Sequence, residues 1–232
     1  MRRFPAAPCL AALFTVFFLS LLTACGSGST VNKNPVFSIR VTPSSSSMNV
    51  GDVLTLSYTT YDYAGNVVAG DITFSSNNNN IAQVSSGGLV CAGQWDSSFV
   101  VCTPNSGSSA VGTAAITLSS GSASATTTIY VHQRLDRVTV SPLPACVSAG
   151  QIIPITAHAF STTGQGCSNA SPCDITSTVG PISYGSQDST IAATDTNGNL
   201  EAKLPGATNV YATVDNVTSP PVPYTTCPVA SI

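Results

Sequence analysis

Few residues in this chain could do covalent chemistry, and their spacing is poor for it. Charged residues make up only 7% of the 232 positions, with two histidines (His132 and His158) and a single glutamate, Glu201. Nucleophilic catalysis needs a base beside a Ser or Cys, and glycoside hydrolysis needs two placed carboxylates. No Gly-x-Ser-x-Gly elbow, His-Glu-x-x-His pair or phosphate loop occurs. His132 stands beside Gln133-Arg134 and reads as a linker residue; His158 lies on the polar phase of an alternating strand and reads as a surface residue. Asp62-Tyr63-Ala64-Gly65-Asn66 offers oxygen ligands on a turn, but too few for calcium, and reads as an Asx/Gly hairpin. No catalytic residue, metal or cofactor is expected. Binding chemistry is better represented. The one tryptophan, Trp95, lies in Gly93-Gln94-Trp95-Asp96 with Phe99 close behind, and Tyr61 and Tyr63 flank another turn. Such aromatics can stack on a sugar ring or anchor a protein partner. The plainer expectation is that Trp95 packs over the end of the fold.

The N-terminus supplies an address. Arg2 and Arg3 precede an apolar stretch from about Leu10 to Leu22, which matches a signal-peptide core and is short for a membrane span. It ends in Leu22-Thr23-Ala24-Cys25, then Gly26-Ser27-Gly28-Ser29. The tetrapeptide resembles the bacterial lipobox. That resemblance implies a diacylglycerol thioether on Cys25, cleavage before it and acylation of the new N-terminus. Gly26 rather than Asp after the cysteine favours, by the same resemblance, the outer membrane and cell surface. Residues 1–24 are thus read as signal peptide and 25–35 as a lipidated Ser/Gly tether. Removing Arg2 and Arg3 leaves five basic residues against ten acidic, a net charge of −5. That thin negative charge offers no footprint for nucleic acid.

Behind the tether the chain alternates in short runs. Leu54, Leu56 and Tyr58 share one face of a strand, and Ala114 to Leu118, Thr127 to Val131, Arg137 to Val140 and Val210 to Val214 follow the same period. Ala64-Gly65-Asn66, Ser86-Gly87-Gly88, Asn197-Gly198-Asn199 and Pro205-Gly206 punctuate them. The pattern also repeats. Val41-Thr42-Pro43 answers to Val140-Ser141-Pro142, Val50-Gly51-Asp52 to Ala149-Gly150-Gln151, Ile81-Ala82 to Ile191-Ala192, and Gly112-Thr113 to Gly206-Ala207. The expected fold class is all-β: two tandem β-sandwich domains, 36–132 and 136–232, after the signal peptide and tether.

The order Val-Thr-Pro, Val-Gly, alternating strand, Ser75-Ser76-Asn77 to Val84, Gly88-Leu89 and Gly112-Thr113 with its strand resembles the bacterial Ig-like domain, group 2. Phe74 stands where that family usually has Trp. The second unit departs from the pattern with an insertion around Cys167 to Cys173 and a final Ser219-Pro220-Pro221-Val222-Pro223 that suits a sheet edge.

Six cysteines remain after Cys9 and Cys25. In an exported chain an even number points to disulfides, and their spacing does not suit zinc. Locality pairs Cys91 with Cys102 and Cys167 with Cys173. The sandwich resemblance pairs Cys146 with Cys227, joining the first and last strands of the second domain. Together these features imply a non-enzymatic, lipid-anchored surface protein acting as spacer, adhesive or interaction module. Its partners would be the membrane through its lipid and a protein or glycan at the surface. The alternative is a carbohydrate-binding accessory of an extracellular polysaccharide system, resting on Trp95, Tyr61 and Tyr63.

Overall fold

A computed structural model describes residues 35–105, 110–164 and 166–228. The signal peptide, Cys25 and nearly all of the tether lie outside the described residues.

The first half of the described chain runs β1 (Ser38–Thr42), β2 (Ser45–Asn49), β3 (Val53–Thr55), β4 (Ser57–Tyr61), β5 (Thr73–Ser76), β6 (Gln83–Val84), β7 (Leu89–Cys91), β8 (Gln94–Trp95), β9 (Cys102–Thr103), β10 (Gly112–Ser120) and β11 (Ala123–His132). One sheet has the order β2-β11-β10-β5, with β2 parallel to β11 and the rest antiparallel. Facing it, β4 pairs β1, and β3 pairs β7, which pairs β6. β3 and β4 are one strand interrupted at buried Leu56, whose N–H reaches the Gly88 carbonyl at 3.0 Å. The resulting order, first-second-fifth-fourth strand against a sheet holding the last two, is that of an immunoglobulin-type sandwich. Alternation explains it: Ala114, Ile116 and Leu118 on β10, and Ile129 and Val131 on β11, are wholly buried among Met48, Leu56, Ile81 and Val90. Each such Ile, Leu, Val or Met side chain withdrawn from water contributes about 1.5–3 kcal/mol. Tyr58 leaves the expected pattern: it is 43% exposed and meets Phe74 edge-on at 5.8 Å.

The second half repeats the plan with β12 (Arg137–Val140), β13 (Val147–Ser148), β14 (Ile152–Pro154), β15 (Ala157–Ser161), β16 (Cys173–Asp174), β17 (Ser183–Ser186), β18 (Ala192–Thr194), β19 (Asn199–Ala202), β20 (Gly206–Val214), β21 (Val217–Thr218) and β22 (Val222–Cys227). Its sheets are β13-β22-β20-β17, β12-β15-β16 and β14-β19-β18, around a separate core that includes Val138, Leu200, Val210, Ala212 and Tyr224. The repeat extends to single hydrogen bonds. Leu56 N–H to Gly88 O is matched by Ile155 N–H to Gly198 O, and Gly51 N–H to Ala92 O by Gly150 N–H to Ala202 O. Pro223 is accommodated because β13 joins β22 only at Thr226 and Cys227, leaving the proline end with β20 as its one neighbour. There the missing amide donor costs no ladder bond.

The described residues pack as one compact unit around these two cores. Where the halves meet, the contacts are polar. His132 is completely buried, not a solvated linker residue. Its Nδ1 lies 2.7 Å from the Gln133 carbonyl, which can only accept, so Nδ1 carries the proton. Nε2 lies 2.9 Å from Ser47 Oγ, within hydrogen-bond distance, and the same Oγ accepts the Gly180 N–H at 3.1 Å. Asn49 completes the seam. Its Oδ1 accepts the Leu135 N–H at 2.8 Å, and its Nδ2 donates to Asp52 and Asp215, each at 3.0 Å. Gly180 is needed here for space: a Cβ on it would lie 2.8 Å from the Tyr130 ring.

Three disulfides join Cys91 to Cys102, Cys146 to Cys227 and Cys167 to Cys173, with Cα atoms 5.6, 5.5 and 5.3 Å apart. The Cys146–Cys227 bond sits at the parallel β13/β22 pairing and ties the start of the second half to its end.

Candidate functional site

Superposing the two repeats by their shared hydrogen bonds isolates what has been added to the sandwich. Ala92 and Ala202 are equivalent, as are Gly112 and Gly206, which pack against Ile81 and Ile191. Between them the second half has three residues (203–205) and the first has nineteen (93–111). The extra segment is the β8/β9 hairpin, with Gln94 opposite Thr103 and Trp95 opposite Cys102. The sandwich closes without it in the second half, so its presence calls for a use other than packing.

Its construction is rigid at the base and apolar at the tip. The Cys91–Cys102 bond joins the hairpin to the buried end of β7. Gly93 lets the strands approach: a Cβ there would lie 2.3 Å from the Thr103 carbonyl oxygen. Trp95 is half-buried, with its amide donating to Gln83 Oε1 at 2.9 Å. Asp96 organises the turn. Its Oδ1 accepts the amides of Val100 and Val101 at 2.8 and 3.0 Å, and Ser98 Oγ donates to its Oδ2. Those bonds, the Ser98 hydroxyl first and then the Val101 and Val100 amides, hold the Asp96 carboxyl below the usual carboxylate range.

The turn drives Phe99 into the left-handed region, φ 56°, which a bulky residue rarely adopts. The outcome is an exposed apolar run: Phe99, Val100 and Val101 are 47%, 76% and 55% exposed. Trp95 lies behind Phe99, ring centroids 6.4 Å apart. Its indole Nε1 is buried with no hydrogen-bond partner among the described residues. That geometry suits a sugar poorly. Pyranose recognition needs an open aromatic face beside free hydrogen-bonding groups, and here the indole N–H is covered while the Asp96 carboxylate is engaged by its own turn. An apolar partner surface suits it well.

The other aromatics singled out from sequence lie elsewhere. Tyr61 ends β4, and Tyr63 is 85% exposed on the following turn, where it meets Phe37 edge-on at 5.0 Å. That turn is the Asx type: Asp62 accepts the Asn66 amide at 2.9 Å and its side-chain Nδ2 at 3.2 Å. His158 keeps to the surface, with Nδ1 3.0 Å from Asp174 Oδ2. No group of three or more metal-ligating side chains occurs among the described residues. Sequence reasoning missed Val100 and Val101. The available signal was three consecutive apolar residues between two serines and a cysteine, where strict alternation prevails elsewhere.

No family model matches the chain, and none of the curated proteins matches it. Solved structures of similar architecture exist. Domains 5–6 of the S-layer protein SbsC share 15% identity over 83% of this chain and 97% of theirs, with a TM-score of 0.31. The C-terminal fragment of intimin, solved with the intimin-binding domain of its translocated receptor, shares 12% over 83% of this chain and 64% of that one, at TM-score 0.30. The Yersinia pseudotuberculosis adhesin InvE shares 17% over 80% and 58%, at TM-score 0.26. This chain spans 24% of the fragment covering SbsC domains 1–6.

Proposed function

We propose that this chain is a non-enzymatic cell-surface interaction module. It is held to the membrane by a lipid on Cys25 and presents two Ig-like domains, 36–132 and 136–232, of the group-2 bacterial kind. Its working surface is the tip of the Cys91–Cys102 hairpin, and its partner is a protein with an apolar cleft. The observation that carries the reading is the exposed Phe99-Val100-Val101 run on a stapled insertion that the second repeat does without. Fixing the tip in advance lowers the ordering cost of binding, which is the usual use of a disulfide at a recognition loop. The lipid assignment is supported by Leu22-Thr23-Ala24-Cys25 and the short apolar stretch before it.

Site-specific photocrosslinking on intact cells tests the binding surface. A photoreactive residue at position 100 should trap a discrete protein, and Phe99→Asp should abolish the product. The same probe at exposed Leu204, on the equivalent turn of the second repeat, should trap none. Equal products at 100 and 204, or a product indifferent to Phe99→Asp, would remove the hairpin from the proposal.

A further inference from the structure

A second exposed apolar cluster lies where the described chain begins. Phe37, Tyr63 and Val67 are 60%, 85% and 70% exposed. Three contacts gather them. The Phe37 ring meets Tyr63, the Phe37 amide donates to the Tyr61 carbonyl at 2.8 Å, and Tyr61 bridges to Val67. Close by, Val36 fills the space above Gly70, where a Cβ would lie 2.4 Å from its Cγ2, so the chain entry is pinned to this turn. Charge around the cluster is sparse. Residues 35–41 and 58–71 contain three charged side chains: Arg40 and Asp71, both exposed, and Asp62, which is buried with its carboxylate turned onto Asn66.

We infer that Phe37, Tyr63 and Val67 form a membrane-docking face that seats this end of the protein at the headgroup level of the bilayer carrying its lipid. The inference rests on the proposed Cys25 anchor. Twelve positions separate Cys25 from Phe37. Fully extended they span at most about 40 Å. The cluster is therefore held within about 40 Å of the lipid, where tethering gives an effective concentration in the millimolar range. Weak interfacial affinity suffices at that concentration. An amphipathic tyrosine beside a phenylalanine is the side-chain chemistry that interfaces favour. Exposed Arg40 and Asp71 balance, so these segments carry no net charge for an anionic leaflet to repel beyond the buried Asp62. A seated face would fix the orientation of the fold relative to the bilayer, which a single flexible attachment cannot do.

The test uses the full-length gene product purified from membranes and reconstituted into phosphatidylethanolamine/phosphatidylglycerol vesicles. Trp95→Phe removes the native indole, and Tyr63→Trp or Val67→Trp places one in the face; Leu204→Trp is the control. Brominated lipid should roughly halve the emission at positions 63 and 67, as for an indole at the headgroup level, and leave position 204 unchanged. Acylated, vesicle-bound protein with no quenching at 63 or 67 would overturn the docking face and leave the anchor standing. An unacylated N-terminus would overturn both. Equal quenching at 204 would also defeat the assignment, because no face would then be selected.

Discussion

Removing one hydroxyl from Ser47 should loosen the seam between the two halves. Ser47 Oγ is hydrogen-bonded to His132 Nε2 at 2.9 Å and accepts the Gly180 N–H at 3.1 Å. Ser47→Ala takes away both partners without changing the fold of β2. It strands an imidazole nitrogen on a fully buried ring and an amide on a buried glycine. Each orphan costs about 1–3 kcal/mol when water cannot replace the lost bond. A polar crevice lined by Ser45, Ser46, Pro181, Asp215 and Asn216 adjoins the site, so water can reach part of it and the low end applies. The expected loss is roughly 2–3 kcal/mol. Urea unfolding should be followed by two probes. Trp95, the sole tryptophan, reports on the first half, and far-UV circular dichroism reports on all strands. Coincident transitions in the parent protein should separate in Ser47→Ala, because the seam, left with the Asn49 bonds, couples the halves less. Ser46→Ala is the control, since the Ser46 hydroxyl reaches only the Ser47 carbonyl, at 3.4 Å. A Ser47→Ala loss no larger than that of Ser46→Ala, with transitions still coincident, would show that the Ser47 bonds carry no stability.

Three further outcomes follow from particular side chains. The double change Cys146→Ser and Cys227→Ser opens a span of 81 residues, and by chain entropy should cost about 4.5 kcal/mol in chemical denaturation. Opening the six-residue Cys167–Cys173 span should cost only about 2 kcal/mol, so a reversed order would contradict the clamp. Tyr224→Phe should leave stability unchanged or raise it by up to about 1 kcal/mol, because its hydroxyl is buried without a partner among the described residues; a loss above that size would reveal a bond there. Burial, with Asp52 nearby, pushes the Asp215 carboxyl above its ordinary value, despite His132 and the Asn49 bond. Its folded pKa therefore exceeds its unfolded one, so its contribution is full below the unfolded pKa and is lost as pH rises through the folded pKa. Asp215→Asn should accordingly be the more stable protein at neutral pH, with the difference closing as the pH falls below the ordinary carboxylate range. A gap that widens in acid would reverse the sign.

Period-2 alternation made β10, β11, β20 and their buried residues readable from the chain alone. Paired turn signals such as Gly51/Gly150 and Gly112/Gly206 exposed the repeat, because the same backbone turns demand the same residues in both halves. The Cys91–Cys102 loop was legible too, from the local spacing of its cysteines. Its exposed Phe99-Val100-Val101 was not, since exposure there depends on Asp96 capping its own turn. The seam was also hidden. His132 meets Ser47 only through the parallel β2/β11 register, which sets Ser47 opposite Tyr130, and no local pattern reports a pairing across 85 residues. Phe37 and Val67 were overlooked for the same reason, being neighbours only once β1 lies against β4.

Surface placement underlies the hairpin and the docking face alike, and one mass measurement reaches it most directly. Intact protein extracted from membranes should begin at Cys25 and carry the added mass of a diacylglycerol thioether with an acylated amino terminus. A chain that retains Met1 to Ala24, or one cleaved to leave an unmodified Cys25, would contradict it.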